Sequence, residues 1–235
     1  MWPDPTAPDP RRVAYLIAVD LAQGGKDWTA LAVVERWRRD DGGPADYRVT
    51  HLERWRDART ALVPERVAAV DQQLRHLHAD RDLRRYGRSP ATTPAVEVVV
   101  DRTGVGPFGL DPLRAAGFDP IGIALHGGEA VSHDDAGGWR VPKRDLAAVV
   151  RVLLETRRLR VAAALPLAGV LRSELENFKA KITLGGRDTY GAGQDWREGN
   201  HDDLVLATAM AVWLGEHRAG STLRPASPDL RRYFL

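Results

Sequence analysis

Seven apolar residues in a row, Val13 to Val19 (VAYLIAV), set the first limit on what this chain can become. A strand with one wet face alternates apolar with polar side chains, whereas a strand apolar at every position needs cover on both faces. This run therefore belongs at the centre of a sheet with helices above and below. It ends abruptly in a charge, Asp20.

The rest of the chain supplies the partners. Trp28 to Val34 reads as a second strand, RRDDGGPAD as a hairpin-like connection, and Tyr47 to Trp55 as a third strand, giving an antiparallel meander. Pro64 opens a helix at a favoured early position, with Val67, Val70, Leu74 and Leu77 predicted as its buried stripe. Val96 to Val100 (VEVVV) follows; with a helix intervening, this strand can return parallel to the meander through a right-handed crossover. Beyond it the pattern predicts a helix around Pro107 to Ala116, a short strand at Ile121 to Ala124 and a Gly-rich, acidic loop from Gly127 to Gly138. A helix from Pro142 follows, with Leu146, Val149, Val150, Leu153 and Leu154 inward, then a brief strand near Leu159 to Val161 and a helix from about Pro166 to Phe178. The polar stretch Lys179 to Gly199 reads as a β-hairpin, and the last helix runs from Asp202 to about His217. The expected organisation is a leader over 1–12, one domain over 13–218 and a tail over 219–235.

Composition removes several classes of function. Zero cysteines exclude a disulfide framework, a thiolate metal site and a cysteine nucleophile. The longest apolar stretch, Val161 to Leu171, is broken by Pro166 and is too short to span a bilayer, and the proline-rich start is no secretory signal, so a cytoplasmic protein is expected. Net charge is only +2, but residues 136–190 hold eleven Lys or Arg against five acids, which predicts a basic face.

The chemistry is carried by aspartates. Two apolar strands end in one, Asp20 and Asp101, and residues just past the carboxyl ends of neighbouring parallel strands face the crevice where α/β sheets place ligands. A third group, Asp202-Asp203, opens the apolar helix LVLATAMAVWL. One aspartate there would be read as a cap; two in succession point further. Carboxylates brought together repel unless a cation lies between them. With oxygen donors and no cysteine, that cation is hard, Mg²⁺ or Mn²⁺, and takes its remaining oxygens from water or a phosphate, as two-metal phosphodiester hydrolysis requires.

These pieces together resemble a known family. Asp20-Leu-Ala-Gln-Gly-Gly-Lys-Asp27-Trp-Thr-Ala, the strand ending in Asp101, Val141-Pro-Lys143-Arg-Asp-Leu, and Gly199-Asn-His-Asp-Asp-Leu-Val-Leu-Ala-Thr-Ala are similar to the ribonuclease H-like nuclease domain of bacteriophage large terminase subunits, over roughly Val13 to His217. The resemblance implies a mixed five-stranded central sheet, antiparallel meander plus parallel strands, flanked by helices, with an extra β-hairpin before the last helix. It implies Asp20, Asp101 and Asp203 as catalytic metal ligands, Asp202 as an auxiliary, and two Mg²⁺ or Mn²⁺ ions when DNA is bound. The substrate implied is double-stranded DNA in a bacterial cell, with a packaging ATPase, portal or small terminase as partners. Lys143, Arg144, Lys179, Lys181 and Arg187 are candidate phosphate contacts.

The family's packaging ATPase has no counterpart here: twelve residues precede the first strand and no G-x-x-x-x-G-K-[ST] loop occurs, so this chain is not expected to translocate DNA. Two other readings stand beside the nuclease. One is a non-catalytic module that binds DNA or a packaging partner; the other is an actin-like or sugar-kinase-type nucleotide lobe, for which 235 residues are too few to supply both halves. Among secondary candidates, Asp27 fits a turn, Asp134, Asp135 and His133 a solvated loop, and Trp139 and Trp196 packing more readily than chemistry, while His201 fits a helix start and ligand orientation or proton transfer equally.

Overall fold

The computed structural model describes residues 13–22, 28–39, 41–56, 62–87, 94–134, 137–184 and 202–219. The apolar run becomes β1 (Val13–Asp20), fourth or fifth from either edge of an eight-stranded mixed sheet. β2 (Thr29–Trp37) and β3 (Asp46–Trp55) complete the antiparallel meander, and β4 (Ala95–Asp101) lies parallel to β1 on its other side. β5 (Ile121–His126) and β7 (Trp139–Pro142) extend the parallel half; β6 (Ser132–His133) and β8 (Leu159–Val161) close the two edges, in the order β6-β7-β5-β4-β1-β2-β3-β8. The expected five-stranded mixed centre, β3-β2-β1-β4-β5 with its second strand antiparallel, is thus present inside a wider sheet.

Alternate side chains of β1 point to opposite faces. Tyr15, Ile17 and Val19 meet α1 (Leu62–Tyr86) and the short α2 (Asp111–Ala115). Leu16 and Ala18 meet the other layer, formed by α3 (Lys143–Glu155), α4 (Ala168–Leu184) and α5 (Asp203–Ala219). α5 is buried almost all round from Leu204 to Gly215, because it lies on β1, β2 and β4 while α3 and α4 cover its outer side. A helix apolar on every face is the form such a position requires. At Gly215 the approach is so close that a Cβ would come within 2.6 Å of the Tyr47 ring. No helix among the described residues is long and apolar enough to cross a membrane.

Several expectations are corrected. The buried stripe of α1 runs Val63, Val67, Val70, Leu74, His78 and Asp82, while Leu77 is 39% exposed. From Leu74 a step of four, not three, keeps to the buried face, so polar residues occupy the inner positions there. In α3, Leu154 is exposed and Ala147 is inward instead. Trp139 to Pro142 is a strand and not a helix start, with Pro142 capping α3 in an extended conformation. Lys179 to Leu184 continues α4 and does not begin a hairpin; 185–199 lie outside the described residues, as do 1–12 and 220–235.

Candidate metal and nucleic-acid site

The parallel strands β1 and β4 pair from Ala14 with Ala95 through Val19 with Val100, so Asp20 and Asp101 stand abreast one residue further on, at the carboxyl edge of the sheet. Both follow the inward alternation of Ala18 and Val99 and therefore lie on the α5 face. Their exposures are 7% and 3%. Asp101 is oriented by its own turn: its Oδ1 accepts the Thr103 N–H at 2.7 Å, and the Thr103 hydroxyl accepts the Leu125 N–H at 2.7 Å. The same row continues through the meander, Asp20 beside Ala30 and Ala30 beside Arg54. Ala30, fully buried in the core, stands between the aspartate pair and Arg54.

The other acids arrive from the helices. Asp202 precedes α5, 6% exposed, and its carbonyl accepts the Leu206 N–H at 2.9 Å, the first bond of the helix. Asp203 is the first residue of α5, where the helix dipole favours negative charge. Between them and the sheet lies a residue that sequence reasoning missed. Glu174 of α4 is 5% exposed; its Oε2 accepts the Val205 N–H at 3.1 Å and its Oε1 accepts a hydrogen bond from Arg54 at 3.2 Å. Burial pushes its carboxyl up to about 7, and the negative charges of Asp203 and Asp202 add to the rise, against the opposing Val205 N–H and Arg54 guanidinium. The start of α5 is thereby tied through Glu174 and Arg54 to the row that holds Asp20. The signal was available: Glu174 falls three residues after buried Leu171 and four before buried Phe178, an acid inside an apolar stripe.

The acids thus form two groups on one face, a strand pair and a helix trio. Among the described residues no three His, Asp or Glu side chains are closed into a ready-made cage for an ion. The donor chemistry nevertheless suits a hard cation, since every group is a carboxylate at one end of the sheet. Such an ion keeps several waters and needs only one or two protein carboxylates with substrate oxygens.

The basic candidates are distributed unevenly. Lys143 and Arg144 begin α3 directly after Pro142, which pairs with His126, three residues past the Ile123 that neighbours Asp101. They therefore stand at the same edge as the acids. Arg144 is exposed and donates to the Glu129 carbonyl at 2.7 Å. Lys179 and Lys181 fall in the last turns of α4, where only the backbone is described, and Arg187 lies outside the described residues. Asp27, Asp135, Trp196 and His201 also lie outside them. Asp134 pairs with the buried Arg102 and accepts the Gly138 N–H at 3.0 Å, which makes it a loop clasp. Trp139 packs between His133 and His217, with ring centroids 3.5 and 4.4 Å away, and against Trp213.

In overall course the chain is similar to terminase nuclease domains. The nuclease domain of the P22 large terminase is 15% identical, with a TM-score of 0.47, over 92% of this chain and 87% of that one. The Mn-soaked human cytomegalovirus terminase nuclease domain is 11% identical, with a TM-score of 0.46, over 89% and 86%. RuvC of Thermus thermophilus is 14% identical, with a TM-score of 0.34, over 88% and 97%. No family model and no curated protein matches the sequence.

Proposed function

We propose that this chain is a metal-dependent endonuclease that hydrolyses DNA phosphodiester bonds, of the kind used in phage genome packaging. The observation that carries the reading is the placement of Asp20 and Asp101 abreast at the ends of two central parallel strands, on the face where α5 begins at Asp202-Asp203 against Glu174 of α4. Asp20, Asp101 and Asp203 would hold the ions, with Asp202 as an auxiliary. When bound, Mg²⁺ or Mn²⁺ there supplies a Lewis acid for the phosphate and lowers the pKa of an attacking water.

The protein's own residues do the positioning. Asp101 is held rigid by Thr103, Glu174 fixes the first turn of α5, and Lys143 and Arg144 stand at the rim where a phosphate backbone would pass. Burial of the acids keeps bulk water from screening their charge, which sharpens both ion capture and mutual repulsion when the ion is lost. Hydrolysis in this arrangement leaves 5′ phosphate and 3′ hydroxyl ends.

Plasmid nicking in Mn²⁺ tests the proposal. Asp20→Ala and Asp101→Ala should each abolish cutting while circular dichroism and melting show a folded protein; unchanged cutting in both variants defeats the assignment. One observation favours a second reading, a DNA-binding module without catalysis: the acids stand as two groups and not as one cage among the described residues. Salt-sensitive DNA binding with no cutting in Mg²⁺ or Mn²⁺ would establish that reading instead.

A further inference from the structure

Beyond Arg54 the acid row meets a second feature that no motif announced. Trp28 immediately precedes β2 and stands opposite Arg56, one step past the Thr29–Trp55 pair. The alternation that points Ala30 and Arg54 to the α5 face points Trp28 and Arg56 the same way. Both guanidinium groups lie over the indole, with the Arg54 Cζ 4.5 Å and the Arg56 Cζ 4.4 Å from the ring centroid. Arg54 spends one N–H on Glu174. Arg56 is exposed.

Stacking engages the flat face of a guanidinium and leaves its edge, with five N–H donors in a fixed fork, open for hydrogen bonds. Two arginines ordered in this way form a preorganised donor site for phosphate oxygens. The site lies on the same face and at the same carboxyl edge as Asp20, two strands away across Ala30. An unstacked surface arginine would lose rotamer freedom on binding; one already held by an indole loses less.

We propose that Trp28, Arg54 and Arg56 form a phosphate clamp that holds the DNA backbone on the β3 side of the acid row, opposite Lys143 and Arg144 on the α3 side. This rests on the nuclease reading and adds to it the direction of the substrate: the backbone crosses the carboxyl ends of the strands from α3 towards β3. Arg56 is the outer contact, and Arg54, shared with Glu174, is the inner one.

The test is the salt dependence of binding to a short DNA duplex in Ca²⁺, for wild type, Arg56→Ala and Arg56→Gln. Each phosphate contact removed should lower the slope of log K against log salt by about 0.9. Both variants are expected to lose about that much slope and to bind several-fold more weakly at low salt, with unchanged melting temperature. If the wild type binds and cuts DNA while both variants keep its slope and affinity, the clamp is refuted and the nuclease reading survives. If the wild type neither binds nor cuts, both fall together.

Discussion

The two faces of the sheet bury charge in opposite ways. Beneath α1, Glu35 is fully buried, yet Arg81 meets it at 2.6 Å and also donates to the Tyr15 hydroxyl at 3.3 Å. Asp82 is buried in the same layer, and Tyr15, pushed up to about 12 chiefly by burial, stays neutral. At the carboxyl edge of the α5 face, Asp20, Asp101, Asp202, Asp203 and Glu174 gather while Arg54 is the basic group seen bonded to one of them. Matched charge under α1 fixes how a helix sits. At the other site five carboxyl groups crowd together, burial and neighbouring charge raise the proton affinity of Glu174, and such crowding of like charge is what a bound cation relieves.

The contrast can be broken most forcefully at the matched pair. Arg81→Met leaves Glu35 buried without its partner and should cost about 3–5 kcal/mol in urea denaturation, whereas the double variant Glu35→Leu/Arg81→Met should recover most of that loss. DNA cutting per folded molecule should be unchanged in both. A single variant as stable as wild type would show that the two faces are not differently built.

The crowded acid group should show itself through pH. A carboxyl whose folded-state value lies above its unfolded value binds the proton more tightly when folded, so stability is greatest at low pH and falls as pH rises from about 4.5 through about 7. In EDTA, wild type should therefore lose up to about 3 kcal/mol over that window relative to Glu174→Gln, which has no charge to bury. Parallel stability curves for the two proteins would remove Glu174 from the acid group.

A smaller effect belongs to α5 itself. Gly215→Ala places a methyl group against Tyr47, whose hydroxyl donates to Glu216 at 2.7 Å, and should cost about 1–3 kcal/mol by overpacking. Because Gly215 lies at the far end of α5 from Asp203, metal-dependent cutting should keep its metal titration midpoint. A shifted midpoint would mean that α5 responds as one rigid lever.

Much of this arrangement was legible in the sequence. β1 is a continuous apolar run and β4 one broken only by Glu97, each closed by an aspartate, Asp20 and Asp101, a pattern that marks strand, depth and end together. β7 was hidden because Trp139-Arg-Val-Pro is too short and mixed to show a period, and it gains its place only by pairing with β5. His78 and Asp82 were passed over for Leu77 since hydrophobicity ranks leucine as inward, while the helical angle from Leu74 puts His78 inside against Tyr15. Glu174 and Arg54 escaped for a related reason: each is an ionisable residue on a buried face, made tolerable by their mutual bond together with the Val205 N–H and the Trp28 ring.

Mn²⁺ binding followed by electron paramagnetic resonance addresses the carboxyl edge directly. The account predicts that wild type takes up Mn²⁺ and that Asp101→Asn and Asp203→Asn, both folded, each weaken it at least about tenfold, since one strand end and one helix start would be contributing to the same ion. Uptake equal in all three proteins, or absent from wild type even with a DNA duplex present, would contradict it.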